Sequence, residues 1–360
     1  MKIVFILPSI KTGGGNRVIL ELSNELVTRN INIDIVYPKN SEETNTFNIS
    51  KKITFIPIGT YKNSKIHKLF NLFHLFNYLN KTYKNELLIF TDPIMSIFIP
   101  LTKHNKVYRF IQADDYAIYD DLLVLKHKIF LIIYKILTKL SYHYNVKYLF
   151  NSIYTYDKFS EILKTKKIFF NLVHPALNHT IFYNQNTREE NKINICIVAR
   201  KHPWKGFIDF IHALNNIQST LHIDNIYLIS HDNLSEFDIT GMQLIKPKND
   251  HEIAYYMNKS HIFVSTSWWE GFGLPPLEAM ACGCSVVLTD AGGVNEYAVP
   301  NENCLMYKPK DISKLQENII RLVGDKELRN YLSINAQKMA QDFSWAKSTD
   351  QLIKALDYAY

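Results

Sequence analysis

The 360-residue chain is poor in the residues that mark several protein classes. It has four cysteines, Cys196, Cys282, Cys284 and Cys304, with no Cys-x-x-Cys pair and no histidine at zinc-finger spacing. Each stands among apolar or small residues, which argues against a disulfide scaffold and predicts buried free thiols in a reducing compartment. Twelve glycines and twelve prolines exclude collagen-like and proline-rich low-complexity chains. No uninterrupted apolar run approaches the ~18 residues of a membrane-spanning helix. Residues 90–101 are broken by Asp92 and Pro93, and 122–140 by Lys126, Lys128, Lys135 and Lys139. The opening MKIVFILPSI is too short an apolar stretch for a signal peptide and meets Pro8 and then Lys11. A soluble, cytoplasmic protein is expected, able to sit peripherally on the inner face of a membrane without crossing it. The dinucleotide fingerprint G-x-G-x-x-G is missing too: Val18 stands three positions after Gly15, which speaks against a nicotinamide-dependent dehydrogenase.

What is present is apolar material, 47% of residues against 21% charged, enough for about two domains at ~150 residues each. The net charge of +7 is uneven. Residues 1–180 hold 24 basic and 13 acidic side chains, whereas the remainder holds 17 and 21. The first half is therefore the side expected to meet an anionic partner, a membrane surface or a lipid phosphate, with nucleic acid not the expected one. A lysine-solvated surface is the simpler alternative. The basic segment 61–76 sets lysine and histidine beside an aromatic and aliphatic stripe, and 122–140 repeats the theme.

The pattern of apolar runs predicts two α/β domains. Lys2–Leu7 reads as a buried strand, Gly13–Gly15 as a turn, 16–30 as a helix with Val18, Ile19, Leu22 and Leu26 on one face, and Ile31–Pro38 as a second strand. Such a βαβ unit calls for a parallel sheet. Further strands are expected at 53–57, 87–90, 107–111, 148–150 and 168–173. The pattern restarts at Lys192–Arg200, with strands at 226–230, 261–266, 286–289 and 304–307 and helices between. The polar stretch 184–191 lies at the linker. The domains are read as 1–178 and 179–344, with a last helix over 345–360 packing back on the first.

Four loops carry chemistry. Thr12-Gly13-Gly14-Gly15-Asn16, between a strand and a helix, suits either a phosphate at a helix N-terminus or a plain tight turn. In Ala199–Gly206, Arg200 and Lys205 would deliver two cations to the end of a strand, where open α/β sheets bind ligands; a solvated basic loop is the alternative. Ser267–Gly283 is the most informative: a strand runs into Glu270, Gly271 and Gly273, then into Pro275 and Pro276 at a helix start, Glu278 inside the helix and Gly283 at its end. Glycine N–H groups and the helix dipole favour an anion there. Asp290–Glu296 follows the next strand with two more glycines.

These residues resemble the retaining GT-B glycosyltransferases of family four, the glycosyl transferases group 1. The likeness covers nearly the whole length and is densest from Ile195 to Tyr358. It lies in Gly13–Gly15, in Arg200 and Lys205 five residues apart, in Glu270 and Glu278 with EAMACG, and in the tail from AGGVNEYAVPNENC. The resemblance implies a GT-B fold, two Rossmann-like doubly wound domains facing a central cleft, and transfer of a hexose-type sugar from a nucleotide-diphosphate sugar with retention. It implies that Arg200 and Lys205 hold the diphosphate and offset leaving-group charge without a metal or other cofactor. Amides near Gly273 and Leu274 add donors to the phosphates, Glu278 binds ribose hydroxyls, Glu270 contacts the donor sugar, Glu296 supports the site, and Gly14 and Gly15 close over the diphosphate. Relatives carry a His-Asp pair facing the sugar, where this chain has Gln112 and Asp114. Gln112 cannot act as a general base but can donate to a sugar hydroxyl. Asp114 and Asp115 also suit a turn. At 228–232 and 175–178 the usual glycines are missing. The implied acceptor is a glycan or lipid-linked glycan, in bacterial surface polysaccharide or glycoconjugate synthesis. A nucleotide-sugar epimerase and a catalytically silent sugar-nucleotide or glycan binding module are the competing readings.

Overall fold

The computed structural model describes residues 1–11, 13–41, 48–62, 64–117, 128–164, 170–217 and 221–357. Thr12 and residues 122–127 of the second basic segment lie outside these. The chain divides into two compact units, residues 1–175 with 345–360, and residues 176–344.

The first unit is built on β1 (Lys2–Ile6), α1 (Gly14–Thr28), β2 (Asn32–Pro38), β3 (Thr54–Ile58), α2 (Lys65–Thr82), β4 (Leu87–Phe90), α3 (Pro93–Ile97), β5 (Val107–Ile111), α4 (Lys128–Ser141), β6 (Lys147–Phe150) and α5 (Ile153–Leu163). Its six strands are ordered β3-β2-β1-β4-β5-β6 and pair in parallel. In β1, Ile3 sits between Ile33 of β2 and Leu87 of β4, and Ile3 through Ile6 are fully buried. A central parallel strand is covered on both faces, so it reads as a continuous apolar run rather than an alternating one. On α1 the expected face, Val18, Ile19, Leu22 and Leu26, is the buried one.

One charge is taken fully inside this unit. Arg109 of β5 pairs with Asp115 at 2.5 Å and donates to the Ser141 hydroxyl at 2.6 Å, while Tyr142 donates to the same carboxylate at 2.9 Å. Asp115 is thus half of a buried ion pair. The strand expected over 168–173 reduces, in its described part, to a single bridge between Leu172 and Phe150.

The second unit comprises β7 (Asn194–Val198), α6 (Phe207–Ile217), β8 (Asn225–Ile229), β9 (Gln243–Ile245), α7 (Asp250–Lys259), β10 (Ile262–Ser265), α8 (Leu274–Ala281), β11 (Ser285–Thr289), β12 (Leu305–Tyr307), α9 (Ile312–Gly324) and α10 (Lys326–Ala340). Its order, β12-β11-β10-β7-β8-β9, repeats the topology of the first sheet. The short β9 was not legible: only Leu244 and Ile245 mark it. The chain then returns to the first unit as α11 (Trp345–Asp357). There Arg29, just past α1, pairs with Asp350 and donates to the Ala346 carbonyl at 2.9 Å.

In each sheet the strand order reverses beside the first strand, between β1 and β4 and between β7 and β10. At such a switch point the connections leave in opposite directions and open a crevice at the carboxyl ends of the strands.

At the opposite ends of β7 and β10, His261 fixes the pairing. Its N–H donates to the Asn194 carbonyl at 2.8 Å, and its Nδ1 accepts the Asn194 N–H at 3.2 Å. That bond needs a neutral ring. Burial, with Arg188 and Arg329 nearby, lowers the imidazole from its ordinary value to about 4. A group whose folded pKa is depressed in this way is a base that the unfolded chain protonates first. Its contribution to stability is complete above pH ~6.5 and is lost as pH falls through about 4. We predict an acid loss of up to ~3 kcal/mol in the second unit over that window. It should flatten in His261→Gln when urea unfolding is followed from pH 7 to pH 4.

Candidate functional site

The predicted site residues fall into two sets, one in each unit. In the second unit they gather after β7, β10 and β11, on the loops leaving these strands and at the start of α8. The loop after β7 closes in a short 3-10 turn, Pro203–Lys205, ended by Gly206 at φ +62°. A Cβ on Gly206 would stand 2.0 Å from the Thr266 carbonyl oxygen. Glycine is therefore required twice, for the left-handed backbone and for the approach of the loop after β10. That approach is stitched by two bonds. The Trp268 N–H donates to the Trp204 carbonyl at 2.7 Å, and the Thr266 hydroxyl donates to the Lys205 carbonyl at 3.0 Å.

With its backbone held, Lys205 pairs through Nζ with Glu270 Oε1 at 2.5 Å, both side chains largely buried. Nζ also stands 4.3 Å from the Trp204 ring centre, and Trp204 stacks on Trp269 at 4.3 Å and 18°. Glu270 is fixed from the other side. Its N–H donates to the Ala291 carbonyl at 2.8 Å, and its own carbonyl accepts from Gly293 at 3.0 Å. A Cβ on Gly293 would lie 2.2 Å from the Gly271 carbonyl oxygen, so the loop after β11 is pressed directly on the Glu270–Gly271 backbone. Glu296 closes the 3-10 turn Gly293–Glu296 on that loop.

Gly273 takes φ +85° and starts α8 without a side-chain cap. Its carbonyl accepts from the Tyr297 hydroxyl at 2.5 Å. Burial holds that phenol well above its ordinary value, so it remains a donor. Pro275 and Pro276 carry no N–H. Of the four amides a helix start leaves without an intrahelical partner, those of Gly273 and Leu274 remain as donors. They lie at the positive end of the helix, beside Glu270. Glu278 lies one turn into α8 and is 3% exposed. Gly283, at φ +80°, ends the helix as expected.

Arg200 is engaged elsewhere on the same edge. Its Nε pairs with Asp232 at 3.0 Å, in the loop after β8. Asp232 also accepts the Lys201 N–H at 2.9 Å. Burial alone would raise the Asp232 carboxyl, but the Lys201 N–H and the Arg200 guanidinium outweigh it and hold it below its ordinary value. Asp232, Tyr297 and the Trp204–Trp269 stack were missed in the sequence. Only the position of Asp232, at the end of the strand next to β7, could have marked it.

In the first unit, Gly14 and Gly15 form the first turn of α1, at the switch point. Gln112, just past β5, reaches over that turn: its amide nitrogen lies 3.7 Å from where a Cβ on Gly15 would stand. Its backbone carbonyl is anchored by Asn151 at 2.8 Å, and its Oε1 is buried with no hydrogen-bond partner. Asp114 accepts the N–H groups of Tyr116 and Ala117 at 3.0 Å each through one oxygen, which makes it a turn-capping carboxylate. Among the described residues no group of three or more His, Cys, Asp or Glu is arranged to hold a metal ion.

A family model, glycosyl transferases group 1, matches residues 179–339, which span the whole Lys205–Glu270 site. This stretch is therefore similar to the glycosyl transferases group 1 family. An uncharacterized glycosyltransferase of Methanocaldococcus jannaschii is 28% identical over 200 residues, 54% of this chain and 55% of that protein. The chain thus spans about half the length of the curated relatives it matches, or less. Among solved structures, sucrose-phosphate synthase from Thermosynechococcus elongatus aligns over 100% of both chains with a TM-score of 0.82 at 17% identity. Anabaena HepE, solved in complex with UDP-glucose, aligns over 99% of this chain and 100% of its own with a TM-score of 0.73 at 16% identity. At these identities the structural likeness speaks for the fold, which is GT-B.

In the second unit Gly206 has little freedom, with a left-handed backbone and a carbonyl 2.0 Å from where its Cβ would stand. Gly206→Ala adds a left-handed alanine and a backbone clash, each costing about 1–3 kcal/mol. We predict a lower melting temperature together with loss of whatever anion affinity the Lys205 loop carries. Both are read by thermal unfolding with and without a nucleoside diphosphate.

Proposed function

We propose that the chain is a retaining, metal-independent glycosyltransferase. It would move a hexose-type sugar from a nucleoside-diphosphate sugar to a glycan or lipid-linked glycan, in bacterial surface polysaccharide or glycoconjugate synthesis. The observation that carries this is the Lys205–Glu270 pair at the β7/β10 switch point, beside the two remaining amide donors at the start of α8. A diphosphate is the ligand that matches one cation, a positive helix end and paired N–H groups on a single edge. The nucleotide sugar bound to HepE has this chemistry.

The roles follow from charge. Lys205 faces the charge that grows on the leaving diphosphate as the bond from the anomeric carbon to the phosphate oxygen breaks, and the Gly273 and Leu274 amides share it. Arg200, released from Asp232, supplies a second cation. Glu270 accepts from hydroxyls of the donor sugar, a task for which it must leave Lys205, so the ion pair is exchanged for two substrate contacts. Glu278 accepts from the ribose diol. Gln112, with a buried carbonyl oxygen that lacks a partner, is suited to hydrogen-bond a hydroxyl and not to remove a proton. Glu296, on the loop pressed against Glu270, supports the site.

Thermal unfolding in the presence of UDP, GDP, dTDP, ADP and NAD, each with and without EDTA, tests the donor reading. One nucleoside diphosphate is expected to raise the melting temperature, insensitively to EDTA, and to lose that effect in Arg200→Ala. A shift with NAD alone would overturn it. With the donor that fits the base so identified, Lys205→Ala is expected to lower kcat by about 10²–10³, the range for one charge-stabilising donor. Sugar inversion with donor alone would instead favour an epimerase, and binding without turnover a silent module.

A further inference from the structure

The exposed apolar surface of the chain is concentrated on two helices of the first unit. Among the described residues, ten of the twenty-two large apolar side chains exposed to solvent lie on α2 and α4. On α2, Ile66, Leu69, Phe70 and Phe73 fall at i, i+3, i+4 and i+7, one helical face, and each is at least 51% exposed. Leu75, Phe76 and Leu79 of the same helix are buried. On α4 the usual arrangement is inverted. Its buried side chains are Thr138 and Ser141, whereas Ile129, Ile132, Ile133, Ile136 and Leu140 make an aliphatic stripe in solvent. Core packing buries the aliphatic face of a helix, so this stripe is not explained by the fold. The two faces adjoin, with Lys65 of α2 lying 5.9 Å from the Phe130 ring of α4.

The charge around these stripes has one sign. Residues 44–85 and 122–156 contain no Asp or Glu. Lys128, Lys135 and Lys139 each stand one position before Ile129, Ile136 and Leu140, so all three follow the same flank of the α4 stripe. A second copy of this chain on the patch would set lysine against lysine. No described helix is long and apolar enough to cross a membrane, so a spanning role is not what the stripes serve.

We propose that α2 and α4 dock the first unit on the surface of an anionic lipid bilayer. The aliphatic stripes lie at the boundary of the acyl chains, and the flanking lysines reach the lipid phosphates. The docking is independent of sugar transfer and is measured without donor or acceptor, so it can fail while the proposed activity stands, and the reverse.

The test is flotation of the full chain with vesicles of phosphatidylcholine alone and of equimolar phosphatidylcholine and phosphatidylglycerol. The chain is expected to float with the anionic vesicles and not with the neutral ones. Phe70→Asp combined with Ile133→Asp should lower the vesicle affinity more than tenfold. Exchanging Lys128, Lys135 and Lys139 for Gln should lower it about fivefold per lysine. Phe70, Ile133, Lys128 and Lys139 are exposed and Lys135 is half-buried beside the Tyr116 ring, so both variants are first shown to melt with the wild type. No flotation of the wild type, equal flotation with both vesicles, or full affinity in both variants would overturn the proposal. So would a dimer in sedimentation velocity that the Phe70→Asp and Ile133→Asp variant abolishes while vesicles go unbound.

Discussion

The candidate site depends on the close contact of two loops at a sheet reversal. The loop after β7 can touch the loop after β10 only because Gly206 has no side chain. That contact sets the backbone of Lys205 and hence the reach of its ammonium to Glu270. Glu270 is in turn locked by the loop after β11 through Ala291 and Gly293. Three strand ends thus converge on one carboxylate. A reversal of strand order is the place in an open sheet where such convergence leaves room for a ligand.

The pair also explains how the Lys205 ammonium is held in place within the protein. A largely buried ammonium with no partner would be costly, and Glu270 removes that cost. Arg200 is handled likewise by Asp232. An incoming anion therefore competes with two internal carboxylates. A ligand rich in phosphate charge, reinforced by the start of α8, can win that competition, whereas a singly charged one has less to offer. The Trp204–Trp269 stack stands beside Lys205, whose ammonium lies 4.3 Å from the Trp204 ring centre, which adds a cation–π attraction to the pair.

Much of the fold was legible because parallel strands buried on both faces announce themselves as apolar runs, as Lys2–Leu7 and Lys192–Arg200 do. The helix start at Gly273 with Pro275 and Pro276, and its end at Gly283, could be read because both depend on local backbone chemistry. What stayed hidden depends on partners distant in sequence. A turn at Asp114 and Asp115 could be read, but not that Asp115 neutralises Arg109 inside the sheet, in a set completed by Ser141 and Tyr142 from far along the chain. The pairing of Arg200 with Asp232 spans 32 positions and needs the β7–β8 register to be seen. The inverted face of α4 was visible as a basic, apolar segment, but only burial shows which side is in solvent.

The central claim is that Lys205 exchanges Glu270 for a phosphate. A crystal structure of the chain soaked with the nucleoside diphosphate that stabilises it most would test this directly. The account predicts phosphate oxygens within hydrogen-bond reach of the Lys205 ammonium and of the Gly273 or Leu274 amide, with Glu270 turned away from the lysine. Phosphates bound elsewhere, with the Lys205–Glu270 pair intact, would contradict it.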